Sequence, residues 1–247
     1  MPIENGGSME FSDILKRYFG KTYTESDFVE KTYAELNKFG FNASNTIACA
    51  GICRDEISQS LIEAICRRWG YVFNLSSLAG MFFAGKTGLT AAMHHSPIVD
   101  GKERSVFYSM PHIAICADGK VGVCYRTGRH GESTACGVLA LFQKEISSGF
   151  GVRDLELNND DIEMSLIKMR LLRELPPNHV PDLLELTKIT QKVIQKDIEY
   201  ALNAIVDKKK SDYALISGIQ IHGPDRNYIW IASCYAVVNE VTERIEI

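Results

Sequence analysis

The chain has 247 residues, 45% of them hydrophobic, with a formal net charge of −4 at pH 7. That is enough apolar material to fill a sizeable core. The mild negative charge argues against nucleic acid or an anionic membrane as the main partner.

Taken in chain order, residues 9–18 and 24–39 read as amphipathic helices, the second capped by Thr24 or Ser26 and stopped by Gly40. Thr46 to Cys53, TIACAGIC, is a short apolar run that suits a buried strand. Residues 55–69 have helical spacing, with Ile57, Leu61, Ile62, Ile65 and Trp69 on one face. A strand is expected over 71–75, a loop or short helix over 76–85, and a helix over 89–95. A long strand over 105–116 is interrupted at Pro111, and Ala117-Asp118-Gly119-Lys120 is a hairpin turn with a returning strand over 121–125. Ser133 is expected to cap a helix reaching about Ser147. Helices over 158–174 and 181–209 and strands near 212–222 and 227–239 complete the pattern. Alternating strands and helices predict a single α/β domain over 1–247 with mixed strand pairing. Its parts are N-terminal helices (1–44), a core carrying the candidate site (45–150), and helices with a C-terminal strand pair (151–247).

The seven cysteines are odd in number and irregularly spaced, and the N-terminus MPIENGGSME lacks an apolar core region. Free thiols in a reducing compartment are therefore expected, with cytoplasm as the location. No run of about eighteen apolar residues is present, so no membrane span is expected. Most free cysteines are small buried hydrophobes. Cys53 stands apart because it closes a buried strand, where ligands collect in open α/β sheets. Asp55 opens the following helix, where a carboxylate is favoured. His112 interrupts an apolar strand, and Cys136 opens a helix beside Gly137. Two thiolates and one imidazole suit Zn²⁺ and leave a fourth position open, the arrangement of a catalytic site.

The segments CRDEI (53–57), FNLSSLAGMFFAGKTGLTAAMHHSP (73–97), MPHIAICADGKVG (110–122) and GESTACGVL (131–139) resemble the limiting-CO2-inducible protein B/C family. That family is similar to β-carbonic anhydrases in fold and zinc site. The resemblance implies a mixed, largely parallel sheet flanked by helices, a homodimer, and Cys53, His112 and Cys136 as zinc ligands. It implies reversible hydration of carbon dioxide to bicarbonate by zinc-bound hydroxide, with Asp55 orienting the hydroxide or occupying the fourth position at rest. Position 57 is Ile57 where the wider β pattern Cys-x-Asp-x-Arg has arginine, so the partner of Asp55 comes from elsewhere. Arg54 is nearest in sequence, with Arg67 and Arg68 as alternatives. His94, His95 or His130 could carry protons to bulk water. A catalytically silent relative that binds bicarbonate or a protein partner would look alike at the ligands.

Gly80 to Thr87 also satisfies the P-loop pattern G-x-x-x-x-G-K-[ST], which would make the chain a nucleotide hydrolase. The bulky Met81-Phe82-Phe83 and the residues between strand and loop speak against a phosphate cradle. The run reads better as packing beneath the site.

Overall fold

The structure is a computed structural model that describes residues 10–149, 156–176 and 179–247. It begins with α1 (Phe11–Phe19), β1 (Tyr23–Thr24) and α2 (Glu25–Lys38), whose first turn is capped by the Thr24 hydroxyl accepting from the Asp27 N–H. Then come β2 (Ile47–Ile52), a 3₁₀ turn at Glu56–Ser58, α3 (Gln59–Trp69) and β3 (Val72–Asn74). A second 3₁₀ turn at Leu78–Gly80 and α4 (Gly85–Met93) lead to β4 (Ile98–Val99), β5 (Lys102–Met110) and β6 (His112–Ala114). Beyond them lie β7 (Val123–Cys124), β8 (Ser133–Thr134), α5 (Gly137–Ser148), α6 (Ile162–Leu171) and α7 (Leu183–Ile205). The chain closes with β9 (Ser211–His222), β10 (Asn227–Val238) and β11 (Val241–Arg244).

The main sheet has the order β3-β2-β5-β9-β10-β1. β3, β2, β5 and β9 run parallel, while β10 is antiparallel to β9 and β1 is antiparallel to β10. The expected mixed, largely parallel sheet flanked by helices is thus the fold. Side chains alternate across it, as strand geometry requires. Ala48, Ala50 and Ile52 of β2 face the core built with Phe28 of α2 and Leu61, Ile65 and Trp69 of α3. Cys49 and Cys53 face the opposite core, with Leu89 and Met93 of α4, Leu139 of α5 and Ile194 of α7.

The connections place the site. From β2 the chain crosses by α3 to β3 on one side, then by α4 to β5 on the other side of β2. Because α3 and α4 pack on opposite faces, strand order reverses at β2. The crevice between the carboxyl ends of β2 and β5 is where such sheets bind ligands. Cys53 directly follows β2, and His112 follows β5 after Pro111.

Two of the element starts that differ from expectation have a clear physical cause. The helix expected from Ser133 starts at Gly137, because Ser133 and Thr134 pair antiparallel with Cys124 and Val123. The Ser133 hydroxyl accepts from Arg126 Nε instead of capping a helix. α4 begins at Gly85, earlier than the expected 89, since two glycines disguise its first turn. Among the described residues, no helix is long and apolar enough to cross a membrane.

Candidate metal centre

Three chain segments converge at the crevice. Cys53 extends β2 and bridges to Ser77. His112 opens β6 and pairs with Gln220 of β9. Cys136 is the N-cap residue of α5. Their ligand atoms all lie within 4.8 Å of one another, and the two sulfurs are 4.0 Å apart. Two thiolates bound to tetrahedral zinc at about 2.3 Å each would sit about 3.8 Å apart, so the cluster has the size such an ion needs. All three residues are buried.

The protonation of the cluster also fits. His112 Nε2 is buried and has no hydrogen-bond partner, a costly state for a polar atom unless an electrophile meets its lone pair. The other ring nitrogen, Nδ1, lies 2.9 Å from His222 Nε2, the kind of contact that orients a metal-binding imidazole. Burial pushes the pKa of His222 down to about 3, so its ring is neutral. Hydrogen bonding from Cys53 holds Cys136 below the usual thiol value, helped by the Val138 and Leu139 N–H groups at the start of α5. Cys53, donating to Cys136 and buried beside it, is pushed up in turn. A buried pocket of two cysteine sulfurs and one unpartnered imidazole nitrogen is a soft-donor set suited to a zinc-like ion.

Asp55 stands beside this triad without belonging to it. Its Oδ2 is 3.7 Å from His112 Nε2. Both of its oxygens accept from one guanidinium: Arg126 Nη1 donates to Oδ1 and Nη2 to Oδ2, each at 2.9 Å. Arg126 is itself fixed, since Nε donates to Ser133 Oγ at 2.9 Å, Nη2 to the Thr134 carbonyl at 3.3 Å, and Nη1 also contacts Glu56 Oε1. Burial pushes the Asp55 carboxyl up, but the Arg126 hydrogen bonds outweigh it and hold the pKa below the ordinary value. An open cavity of about 470 Å³, lined by Glu56, Arg126, Arg129, Glu132, Ser133 and Thr134, lies on the Arg126 side of this ion pair.

The sequence matches the family described as limiting CO2-inducible proteins B/C, beta carbonic anhydrases, over residues 22–239. The chain belongs to this family. The crystal structure of limiting CO2-inducible protein LCIB is similar, with 32% identity, TM-score 0.80, 94% of this chain and 97% of that chain covered. The crystal structure of PtLCIB4, a homologue of LCIB, shares the fold at 20% identity with TM-score 0.82, covering 96% of this chain and 100% of that one. No curated protein sequence matches the chain.

Within this limiting CO2-inducible protein B/C frame, the arginine expected beside Asp55 is corrected. Arg54 donates to Glu163 Oε1 at 2.8 Å and is largely exposed, because adjacent side chains leaving a strand point in opposite directions. Arg68 lies over the Tyr33 ring and pairs with Glu30, and Arg67 sits in the last turn of α3 beside it. Arg126 carries no local sequence signal: it lies between β7 and β8, and only the folding back of that hairpin brings it to Asp55.

The three candidate proton carriers also separate. His94 lines a cavity with Glu103 and Ser211 near the starts of β5 and β9, at the end of the sheet remote from the site. His95 packs edge-on against Phe73, with ring centroids 5.4 Å apart. His130 is exposed on the same loop as Arg126. The P-loop-like run is packing. Gly80 has φ +70° and comes so close to β5 that a Cβ there would lie 2.4 Å from the Met110 carbonyl oxygen. Met81 and Phe82 are buried, and Lys86 lies over the ring of Tyr200.

Proposed function

We propose that the chain is a zinc-dependent carbonic anhydrase that interconverts carbon dioxide and bicarbonate. The observation that carries this reading is the orphaned lone pair of His112 Nε2, buried between two cysteine thiols and facing a clamped carboxylate. Cys53, His112 and Cys136 would hold the metal. Bound there, zinc supplies the Lewis acidity that makes water nucleophilic near neutral pH.

The chain's own residues supply the rest. Asp55, kept ionised by Arg126, is acceptor-only. It accepts the hydrogen bond of the attacking oxygen and so aims a lone pair at the carbon of CO2. Held through both oxygens by Arg126, Asp55 would serve in this reading as the hydrogen-bond acceptor for the attacking water. Apolar Leu75, Met81 and Phe82, buried in the same core as Cys53 and Cys136, offer a nonpolar gas a dry wall. His130, exposed on the loop that carries Arg126, would pass the proton onward in this reading. In this reading the molecule works as a homodimer, which sedimentation equilibrium tests.

The deciding experiment is stopped-flow CO2 hydration by zinc-loaded protein beside Cys53→Ala. Wild type much faster than the variant establishes the enzyme. Zinc-loaded wild type no faster than the variant leaves a metal-site relative that binds bicarbonate or a partner.

A further inference from the structure

The buried imidazole of His112 sits at the inner end of a series of hydrogen bonds that starts at a carboxylate near the surface. Each step fixes the direction of the next. The Glu25 carboxylate, at the start of α2, only accepts, and Ser60 Oγ, in the first turn of α3, donates to it at 3.1 Å. With its proton so used, the Ser60 oxygen accepts from Asn227 Nδ2 at 2.9 Å. That contact settles which end of the Asn227 amide is nitrogen. Asn227 Oδ1 therefore faces His222 Nδ1, 2.9 Å away, and can only accept. His222 must carry its proton on Nδ1, which leaves Nε2 as a lone pair. This lone pair accepts from His112 Nδ1 at 2.9 Å. His112 in turn presents an unprotonated Nε2 to Cys53 and Cys136.

We infer that His222 and Asn227, with the Asn227 amide oriented by Ser60 and Glu25, are positioning residues that fix the tautomer and ring orientation of His112 for metal binding. The part concerning the metal rests on the zinc reading above; the tautomer does not. The geometry explains why the series lies where it does. Its members come from the start of α2, the start of α3, the end of β9 and the start of β10, so packing of both helices on the β9–β10 hairpin sets the ring. Neutral imidazole has two tautomers, and the one protonated on Nε2 cannot bind a metal through that atom. The outer links, at exposed Ser60, are weak, the His222–Asn227 link is half-buried and the His112–His222 link is buried, so the effects of breaking them should be graded.

The test uses the full chain, first without metal. Imidazole ¹⁵N NMR is expected to find His112 and His222 each protonated on Nδ1 only. A through-hydrogen-bond ¹⁵N–¹⁵N coupling should connect His112 Nδ1 to His222 Nε2, and this needs no variant. Asn227→Leu removes the acceptor for His222 and should release the tautomer preference. It should also weaken zinc binding, measured by competition with a chelating dye, by about 10- to 100-fold. Asn227→Asp restores an acceptor and should recover both readouts, which a purely structural role for Asn227 would not do. Ser60→Ala should weaken zinc by only about two- to fivefold. Wild-type His112 protonated on Nε2 would overturn the inference, as would Asn227→Leu with unchanged tautomer and unchanged zinc affinity. If wild type binds no zinc, the metal reading falls, while the tautomer in the metal-free protein still decides the relay.

Discussion

Arg126 donates to both carboxylate oxygens of Asp55, at 2.9 Å each, across 71 residues of chain. A bidentate guanidinium fixes a carboxylate in plane and direction as well as in charge, and lysine cannot replace it. Arg54, beside Asp55 in sequence, instead makes a surface pair with Glu163. The two arginines therefore separate cleanly by mutation. Arg126→Ala and Arg126→Lys should each slow CO2 hydration about 10- to 100-fold through misplacement of Asp55, with zinc content retained. Arg54→Ala should leave hydration unchanged and shift stability by under about 1 kcal/mol. Stopped-flow rates, elemental analysis and urea melts check the set.

How far the sequence led is visible in these same residues. Cys53 was readable because it closes an apolar strand run, and His112 because it interrupts one directly after Pro111. Asp55 was readable from its place at the start of the next helix. Arg126 was not, because the two-residue strands β7 and β8 that carry it to Asp55 are too short to show an alternating pattern. His222 lies in an expected strand, yet its contact with His112 depends on the parallel pairing of β6 with β9. Periodicity gives each element's faces and leaves its neighbours undetermined. The same limit explains Ser133, which resembles a helix cap in sequence and is a strand residue bonded to Arg126 in the fold.

The metal ligands make a prediction of their own. Cys53→Ala, His112→Ala and Cys136→Ala should each lose bound zinc, whereas His94→Ala and His95→Ala should retain it. Since the ion would bind only the folded chain, free zinc at a thousand times its dissociation constant should stabilise wild type by about 4 kcal/mol. Zinc titrations followed by thermal melting measure this. The three ligand variants should show no zinc-dependent rise in Tm.

In the metal-free protein, His222 predicts an acid-sensitive stability. Burial depresses its pKa to about 3 from an ordinary 6.5, against the opposing effect of the hydrogen bond it donates to Asn227 Oδ1. The unfolded chain therefore binds one more proton at this residue between those two values. Its contribution is fully present above pH 6.5 and is lost as pH falls toward 3. The expected slope is about 1.4 kcal/mol per pH unit. Asp55, also depressed, adds loss in the same direction, but only below the ordinary carboxylate range. Denaturant titrations from pH 7 to pH 4 should show this slope in wild type and a flatter one in His222→Gln.

The P-loop-like run offers the last test, because its two readings demand opposite outcomes at Gly80 and Lys86. In a nucleotide site Lys86 would hold phosphate, and Lys86→Ala would abolish binding. Here Lys86 lies 5.5 Å from the ring centroid of Tyr200 on α7, an exposed contact of modest strength. Lys86→Ala should therefore change stability by about 0.5–1 kcal/mol and leave zinc binding untouched. Gly80 is a different matter. Alanine there would meet the Met110 carbonyl oxygen at 2.4 Å in a left-handed backbone conformation. The displaced backbone would be that of Met110-Pro111, which leads directly into His112. Gly80→Ala should cost about 2–3 kcal/mol of stability and weaken zinc binding although Gly80 touches no ligand. Isothermal titration with ATP should give no heat of binding for wild type, and parallel zinc competition should rank Gly80→Ala well below Lys86→Ala.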